Sequence, residues 1–213
     1  MINLMLGDCL ERMKEIESGS VDMILTDPPY GTTACKWDSI IPLEPMWEQL
    51  KRIIKPNGAI VMTASQPFTT TLIASNMKMF KYCMVYQKTK ATNYLQAKKQ
   101  VMKYHEDVCV FYSKQPVYIP QMVKGEPYKK THRNGNKDDA VYNKDTRKNG
   151  DVFVNSGKRY PSSVLSKIKN PSGRGQLHPT QKPVALMEYL IKTYTNESET
   201  VLDFTMGSGT TGV

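Results

Sequence analysis

At 213 residues the chain is long enough for one domain of ordinary size, or for a core domain with a single sizeable insertion. Only 39% of it is hydrophobic, no apolar run approaches the roughly 20 residues of a membrane span, and the N-terminal MINLMLGDCLERM lacks the basic-then-apolar order of a signal peptide, so a soluble, cytoplasmic protein is expected. Its net charge of +9 favours a polyanionic partner, and its four scattered cysteines (Cys9, Cys35, Cys83, Cys109) form no CxxC pair, so reduced thiols are expected, with no metal site and no disulfide framework.

Taken in chain order, residues 2–6 (INLML) predict a short strand that closes at Gly7-Asp8. Residues 9–17 are helical in composition, with Leu10, Met13 and Ile16 at helical spacing, and Ser18-Gly19-Ser20 ends them. A strand over 21–26 runs directly into Asp27-Pro28-Pro29-Tyr30. A helix over 43–54 carries Met46, Trp47, Leu50, Ile53 and Ile54 on one side. Lys55-Pro56-Asn57-Gly58 is a stop-and-turn signal before the apolar strand 59–63. Another helix starts near Pro67 and runs to about residue 76. Residues 82–87 and 108–112 then read as two strands, paired as neighbours.

Strands alternating with helices argue for an α/β fold: a mainly parallel sheet with helices on both faces. The pattern breaks over residues 114–174, a stretch rich in Lys, Asn, Gly, Tyr and Pro. It holds 14 Lys and Arg against 5 Asp and Glu, while the rest of the chain carries 15 of each and is neutral. One segment therefore carries the whole charge excess, which fits either a nucleic-acid partner or a solvated loop. The alternation returns with a helix over 184–194, a strand over 200–204 and the turn Met206-Gly207-Ser208-Gly209-Thr210-Thr211. Three regions follow: 1–113, the basic insertion 114–174, and 175–213.

Two junctions carry candidate chemistry. Proline donates no backbone hydrogen bond and ends a central strand, so Asp27 and Tyr30 are presented outward from a sheet's edge. Open α/β sheets place their ligands at such edges. Glycines in the second junction permit close approach of a ligand to the backbone, although a tight turn alone also explains them. No Lys follows the second glycine, so this is not a phosphate loop. Asp203 at the preceding strand end suits a ligand with a positive amino group.

Together, Gly7-Asp8, Asp27-Pro28-Pro29-Tyr30, His178-Pro179-Thr180-Gln181-Lys182-Pro183 and the run from Asp203 to Thr210 resemble the amino-methyltransferases that act on DNA bases. The Asp-Pro-Pro-Tyr element precedes the glycine turn with a basic segment between them, as in the permuted β group of that family. The resemblance spans nearly the whole chain. It implies a Rossmann-like methyltransferase sheet, S-adenosylmethionine lying over the strands' carboxyl ends, double-stranded DNA as partner, and a target base flipped out of the duplex. Phe204, Gly207, Gly209 and Asp203 would line the methionine half of the cofactor, and Asp8 would face its adenine end. Thr180, Gln181 and Lys182 would lie close by, holding the cofactor carboxylate. The run from His105 to Tyr112 would form a helper strand on the target-base side.

For Asp27 and Pro28 the resemblance implies acceptance of both N–H groups of an exocyclic amine, by the carboxylate and by a carbonyl that proline holds in direction. That favours a tetrahedral nitrogen whose lone pair points at the methyl group. Pro29 completes the rigid turn, and Tyr30 would stack on the extruded base. Asp at the head of the motif leans toward adenine N6, where Ser would lean toward cytosine N4. An inactive DNA-binding protein of the same fold, and methylation of RNA or of a protein amide, are the alternatives.

The insertion occupies the family's target-recognition position. Lys129, Lys130, Arg133, Lys148 and Arg159, interleaved with Tyr128, Tyr142, Phe153 and Tyr160, are the expected phosphate contacts. His132 reads as a polar loop residue. Residues 88–103 (KTKATNYLQAKKQVMK) fit either a DNA clamp or a mobile, solubilising loop. Family members continue beyond the helix that would follow Val213 into a further strand, whose acid binds the cofactor ribose; here that strand's place would be a gap and an exposed edge. A truncated chain accounts for this, and so does a partner chain in a homodimer.

Overall fold

The computed structural model describes residues 2–33, 35, 37–131, 150–166, 168 and 181–213. By internal packing they fall into two compact units, Met1–Ile119 with Ser162–Val213, and Pro120–Pro161.

In the first unit, Asp8 caps helix α1 (Cys9–Lys14), its carboxylate accepting from the Leu10 and Glu11 amides at 2.9 and 3.3 Å. Strand β1 (Val21–Thr26) follows, almost wholly buried. Helix α2 (Leu43–Ile53) forms because Met46, Trp47, Leu50 and Ile53 recur at helical spacing and bury one stripe. Each such side chain removed from water contributes about 1.5–3 kcal/mol. Pro45 is tolerated in the first turn, where its missing N–H would have had no helical partner.

Strand β2 (Ile54–Ala64) starts without a break. The Lys55-Pro56-Asn57-Gly58 turn signal is realised as a bulge: β1 pairs with Ile54 through Val21 and next with Ala59 through Met23. Gly58 is required there, since an added Cβ would sit 2.7 Å from the Asp22 carbonyl oxygen. Helix α3 (Phe68–Ser75), strands β3 (Phe80–Gln87) and β4 (His105–Phe111), helix α4 (Val184–Tyr194) and the short strand β10 (Val201–Leu202) complete the frame, with β9 (Val164–Leu165) at one edge.

The sheet order is β10-β1-β2-β4-β3-β9. Every pairing is parallel except the two made by β4, so the other five strands run one way and β4 runs against them. Alternation along the strands divides the core. Ile24, Ile60, Met62, Cys109 and Phe111 pack with α1, α2 and α3 on one face. Met23, Leu25, Val61, Val108 and Val110 pack with Leu186, Met187, Leu190 and Tyr194 of α4 on the other. The expected mainly parallel sheet with helices on both faces is present.

Residues 2–6 depart from expectation. They form no strand, and Ile2, Leu4 and Leu6 are largely exposed. Strand propensity alone does not hold a strand; among the described residues β10 pairs only with β1, and nothing offers residues 2–6 a ladder.

The described residues of the second unit include two ribbons, β5 (Val123–Lys124) with β8 (Lys158–Arg159), and β6 (Tyr128–Thr131) with β7 (Val152–Asn155). It is narrower than the 114–174 insertion read from composition. The Ile119 amide donates to the Thr193 carbonyl at 2.8 Å and β9 pairs with β3, so both flanks belong to the first unit.

Candidate active site

The polar residues gather where the parallel strands end. Asp27 follows β1, Thr63 lies near the end of β2, Asp203 follows β10, and Lys182 precedes α4. Glu106 stands at the start of the reversed strand β4, which begins at that same edge.

Asp27 is the centre. Its Oδ1 accepts from the Tyr30 hydroxyl at 2.5 Å and from the Thr63 hydroxyl, and the Tyr30 and Thr63 oxygens are 3.0 Å apart. Its Oδ2 takes the Lys182 ammonium at 2.6 Å. Lys182 is 8% exposed, lies 5.5 Å from the centre of the Tyr30 ring, and also faces Glu106 Oε2 at 3.4 Å. Glu106 is equally buried and holds Lys88 on its other oxygen. Burial works against the Lys182 ammonium, but the carboxylates of Asp27 and Glu106 outweigh it and hold its pKa above the ordinary lysine value. Burial, reinforced by the Asp27 charge, pushes the Tyr30 phenol well above its usual range.

Pro28 is buried, and the loop after it is fixed by a residue that sequence reasoning missed. Asp38 accepts from the backbone N–H groups of Tyr30, Gly31, Thr32 and Thr33 at 2.7–2.9 Å. Desolvation opposes the Asp38 carboxylate, yet hydrogen bonding by the Thr33 side chain and by the Gly31, Thr33 and Thr32 amides keeps its pKa below the ordinary value. Phe68 stacks on the Tyr30 ring at 5.5 Å with planes 23° apart. One face of the ring expected to meet a base therefore has a partner within the chain.

At the glycine turn, Asp203 Oδ1 accepts from the Thr26 hydroxyl at 2.7 Å and the Thr205 amide at 3.0 Å, and Oδ2 accepts from the Thr211 hydroxyl at 2.6 Å. Burial raises its pKa above the usual carboxylate range, and these hydrogen bonds offset that only in part. Gly207 and Gly209 have φ of +51° and +75°, the left-handed region that glycine enters freely. Phe204 packs against the core on the α1–α3 face.

The remaining expected site residues are placed as follows. Lys182, expected beside a cofactor carboxylate, pairs within the chain with Asp27 and Glu106, buried carboxylates that a buried ammonium needs. Asp8 is exposed and engaged as the α1 cap. Gln181 is partly buried just before α4. Thr180, Arg133, Lys148, His132 and Tyr142 lie outside the described residues. Two lysines of the 88–103 loop turn inward, Lys88 onto Glu106 and Lys103 onto the Ser65 hydroxyl. The Lys103 amide donates to Asn93 and the Thr92 amide to the Lys103 carbonyl, so that loop is internally bonded.

In the second unit Lys129 and Lys130 lie on β6, pointing to opposite faces of the ribbon. Arg159 lies over the Tyr128 ring at 4.6 Å and donates to Asn155 and to the Glu126 carbonyl. Tyr128 also meets Phe153, their ring centres 6.1 Å apart, and both remain about half exposed.

A doubly covered sheet with carboxylates at its strand ends and a left-handed glycine turn beside them defines a ligand-binding α/β protein. Residues 21–213 match the family described as DNA methylase, the N6/N4 methyltransferases, and the chain belongs to that family, whose members use S-adenosylmethionine. Among curated proteins it is 25% identical to the Type II methyltransferase M.HpaI of Haemophilus parainfluenzae, over 97% of this chain and 64% of that protein. It is 26% identical to M2.DpnII of Streptococcus pneumoniae, over 97% of this chain and 78% of that protein. The chain thus spans less than two-thirds of the first of these relatives and just over three-quarters of the second. Its fold is shared with the M1.HpyAVI–SAM complex (TM-score 0.63, 23% identity, 100% of this chain and 86% of that one). It is shared too with the cytosine-N4-specific PvuII DNA methyltransferase (TM-score 0.65, 16% identity, 97% and 75%). Among the described residues no helix is long and apolar enough to cross a membrane, and no cluster of His, Cys, Asp and Glu could hold a metal ion.

The residues fit S-adenosylmethionine. Asp203, beside the glycine turn, is a carboxylate that suits a ligand bearing an ammonium. At Gly207 and Gly209 an added Cβ would meet nothing closer than 3.9 and 3.7 Å, so the turn leaves room for a ligand.

Proposed function

We propose that this chain methylates DNA at the exocyclic N6 amine of adenine in a flipped-out base, with S-adenosylmethionine as donor. The observation that carries the proposal is the Asp27 carboxylate, held at the end of β1 by the hydroxyls of Tyr30 and Thr63 and by Lys182.

An aromatic amine is a poor nucleophile because its lone pair is delocalised into the ring. Asp27 accepts an N–H hydrogen bond from it, and the Pro28 carbonyl accepts the second. Both draw the nitrogen toward tetrahedral geometry and free the lone pair. The cofactor supplies an electrophilic methyl group on a positively charged sulfur. Transfer of that methyl group would form an N–C bond at the expense of the C–S bond, and Asp27 is placed to receive the proton that nitrogen must lose. Tyr30, backed by Phe68, is assigned to stack on the base. Phe204, Gly207, Gly209, Asp203 and Gln181 are assigned to the cofactor, with Asp8 toward its adenine and Thr180 beside Gln181. Lys129, Lys130 and Arg159, with Arg133 and Lys148, are assigned to phosphate contacts on double-stranded DNA. The preference for adenine rests on Asp at the head of the motif.

The test is to incubate the chain with S-adenosylmethionine and unmethylated genomic DNA, digest to nucleosides and analyse by mass spectrometry. N6-methyladenine is expected. N4-methylcytosine would replace the base, and no methylated base would overturn the activity.

A further inference from the structure

We infer that Glu106 is a positioning residue for methyl transfer, acting through Lys182; this rests on Asp27 being the acceptor for the substrate amine. Asp27 Oδ1 already accepts from two hydroxyls, so an incoming N–H must take Oδ2, where Lys182 sits at 2.6 Å. Lys182 is too buried to retire into solvent, and a buried ammonium left without a carboxylate is strongly disfavoured. Glu106 Oε2 solves this. It is buried, no hydrogen-bond donor reaches it among the described residues, and it lies 3.4 Å from Lys182 Nζ. A shift of roughly 0.5–1 Å brings the ammonium to charge-assisted hydrogen-bonding distance.

Lys88 completes the arrangement. It binds Glu106 through Oε1, leaving Oε2 open toward Lys182. The result is a row of alternating charges, Lys88, Glu106, Lys182 and Asp27, in which one ammonium has two acceptors. When the amine takes Oδ2, Lys182 passes to Glu106 and no buried charge is left unpaired. Asp27 thereby stays paired and aimed in the absence of substrate, and its Oδ2 is released when substrate arrives.

The groups that face Lys182 are Asp27 and the Tyr30 ring from the end of β1 and Glu106 from β4, with Lys88 behind Glu106. Tyr30 is held well above its ordinary range and does not titrate with Lys182 at moderately alkaline pH. Replacing Glu106 with neutral Gln removes one of two carboxylates that favour the charged lysine, so the pKa of Lys182 must fall.

The experiment compares the parent with Glu106→Gln, Lys182→Met and the double variant, measuring kcat for transfer to unmethylated genomic DNA at saturating cofactor. In parallel, the 13Cε resonance of Lys182 is titrated in parent and Glu106→Gln without cofactor or DNA. Glu106→Gln is expected to lower kcat by about tenfold or more. That deficit should shrink at alkaline pH, where Lys182 of the variant deprotonates at lower pH than in the parent and releases Oδ2. It should vanish in the Lys182→Met background. An equal loss in both backgrounds, or a deficit flat across pH, would overturn the inference. Glu106→Asp, which keeps the charge, should lose less than Glu106→Gln; an equal loss would count against it. If the parent transfers no methyl group, the proposed activity fails, and the resonance still decides the role of Glu106: a Lys182 titration at lower pH in Glu106→Gln supports it, and an unchanged one overturns it.

Discussion

The strand-end cluster of the first unit and the ribbons of the second present charge in opposite ways. Around Asp27, polar and charged groups are buried or half-buried and each is placed by the next: Tyr30 by Asp38 and Phe68, Lys182 by Asp27 and Glu106, Asp203 by three hydroxyl and amide donors. On the ribbons, Lys129 and Lys130 stand on an exposed strand, and Tyr128 and Phe153 keep about half their surface. A buried network fixes geometry, which is what bond-making needs. An exposed cationic and aromatic surface supplies screened, additive attraction, which suits a long polyanion. Substitutions in the first should therefore act sharply on turnover or folding, and those in the second gradually on affinity.

The largest effect outside Asp27 itself is expected at the glycine turn. Val at Gly207 or Gly209 must adopt positive φ, which β-branched residues strongly resist. Cofactor affinity by calorimetry should fall by about 10- to 100-fold; unchanged affinity would detach the turn from the ligand. Next comes Asp38→Ala, which strands four backbone N–H groups of the Tyr30 loop and should cost about 2 kcal/mol in urea unfolding. A stability change near zero would mean that water replaces the carboxylate without loss.

On the exposed side, Lys129→Ala with Lys130→Ala should weaken binding to all DNA sequences alike and reduce the log–log salt slope by about 2. An unaltered slope would show that these lysines are only solvated. The smallest effect concerns alkaline stability. A lysine whose folded pKa is raised stabilises fully below its ordinary value, and that contribution is lost as pH rises through the folded pKa. The stability gap between parent and Lys182→Met should therefore persist to about pH 10 and narrow above it. A gap constant to higher pH would mean the ammonium's charge is not what stabilises.

Much of the first unit is legible in the sequence because its signals are local. The spacing of Met46, Trp47, Leu50 and Ile53 gives α2, that of Leu186, Leu190 and Ile191 gives α4, and the two prolines mark the end of β1. The site's supporting groups are not legible, because they depend on distant pairing. Thr63 meets Asp27 only through the β1–β2 register, and Glu106 meets Lys182 only because β4 runs backwards and starts at the active edge. A threonine ending an otherwise apolar strand was the one available hint for Thr63. Residues 2–6 mislead for a related reason, since a short, mostly apolar segment specifies a strand only when a neighbour supplies the ladder. Asp38 sits in CKWDS, where no periodicity marks it as a loop anchor.

The central claim is that Asp27 performs the chemistry while the glycine turn holds the cofactor. Asp27→Asn, which keeps the shape and removes the charge, should be measured beside the parent for methyl transfer to genomic DNA and for S-adenosylmethionine binding by calorimetry. The account predicts loss of transfer by at least about 100-fold with cofactor affinity nearly unchanged. A variant that retains most of its rate, or that loses rate only in proportion to lost cofactor binding, would contradict it.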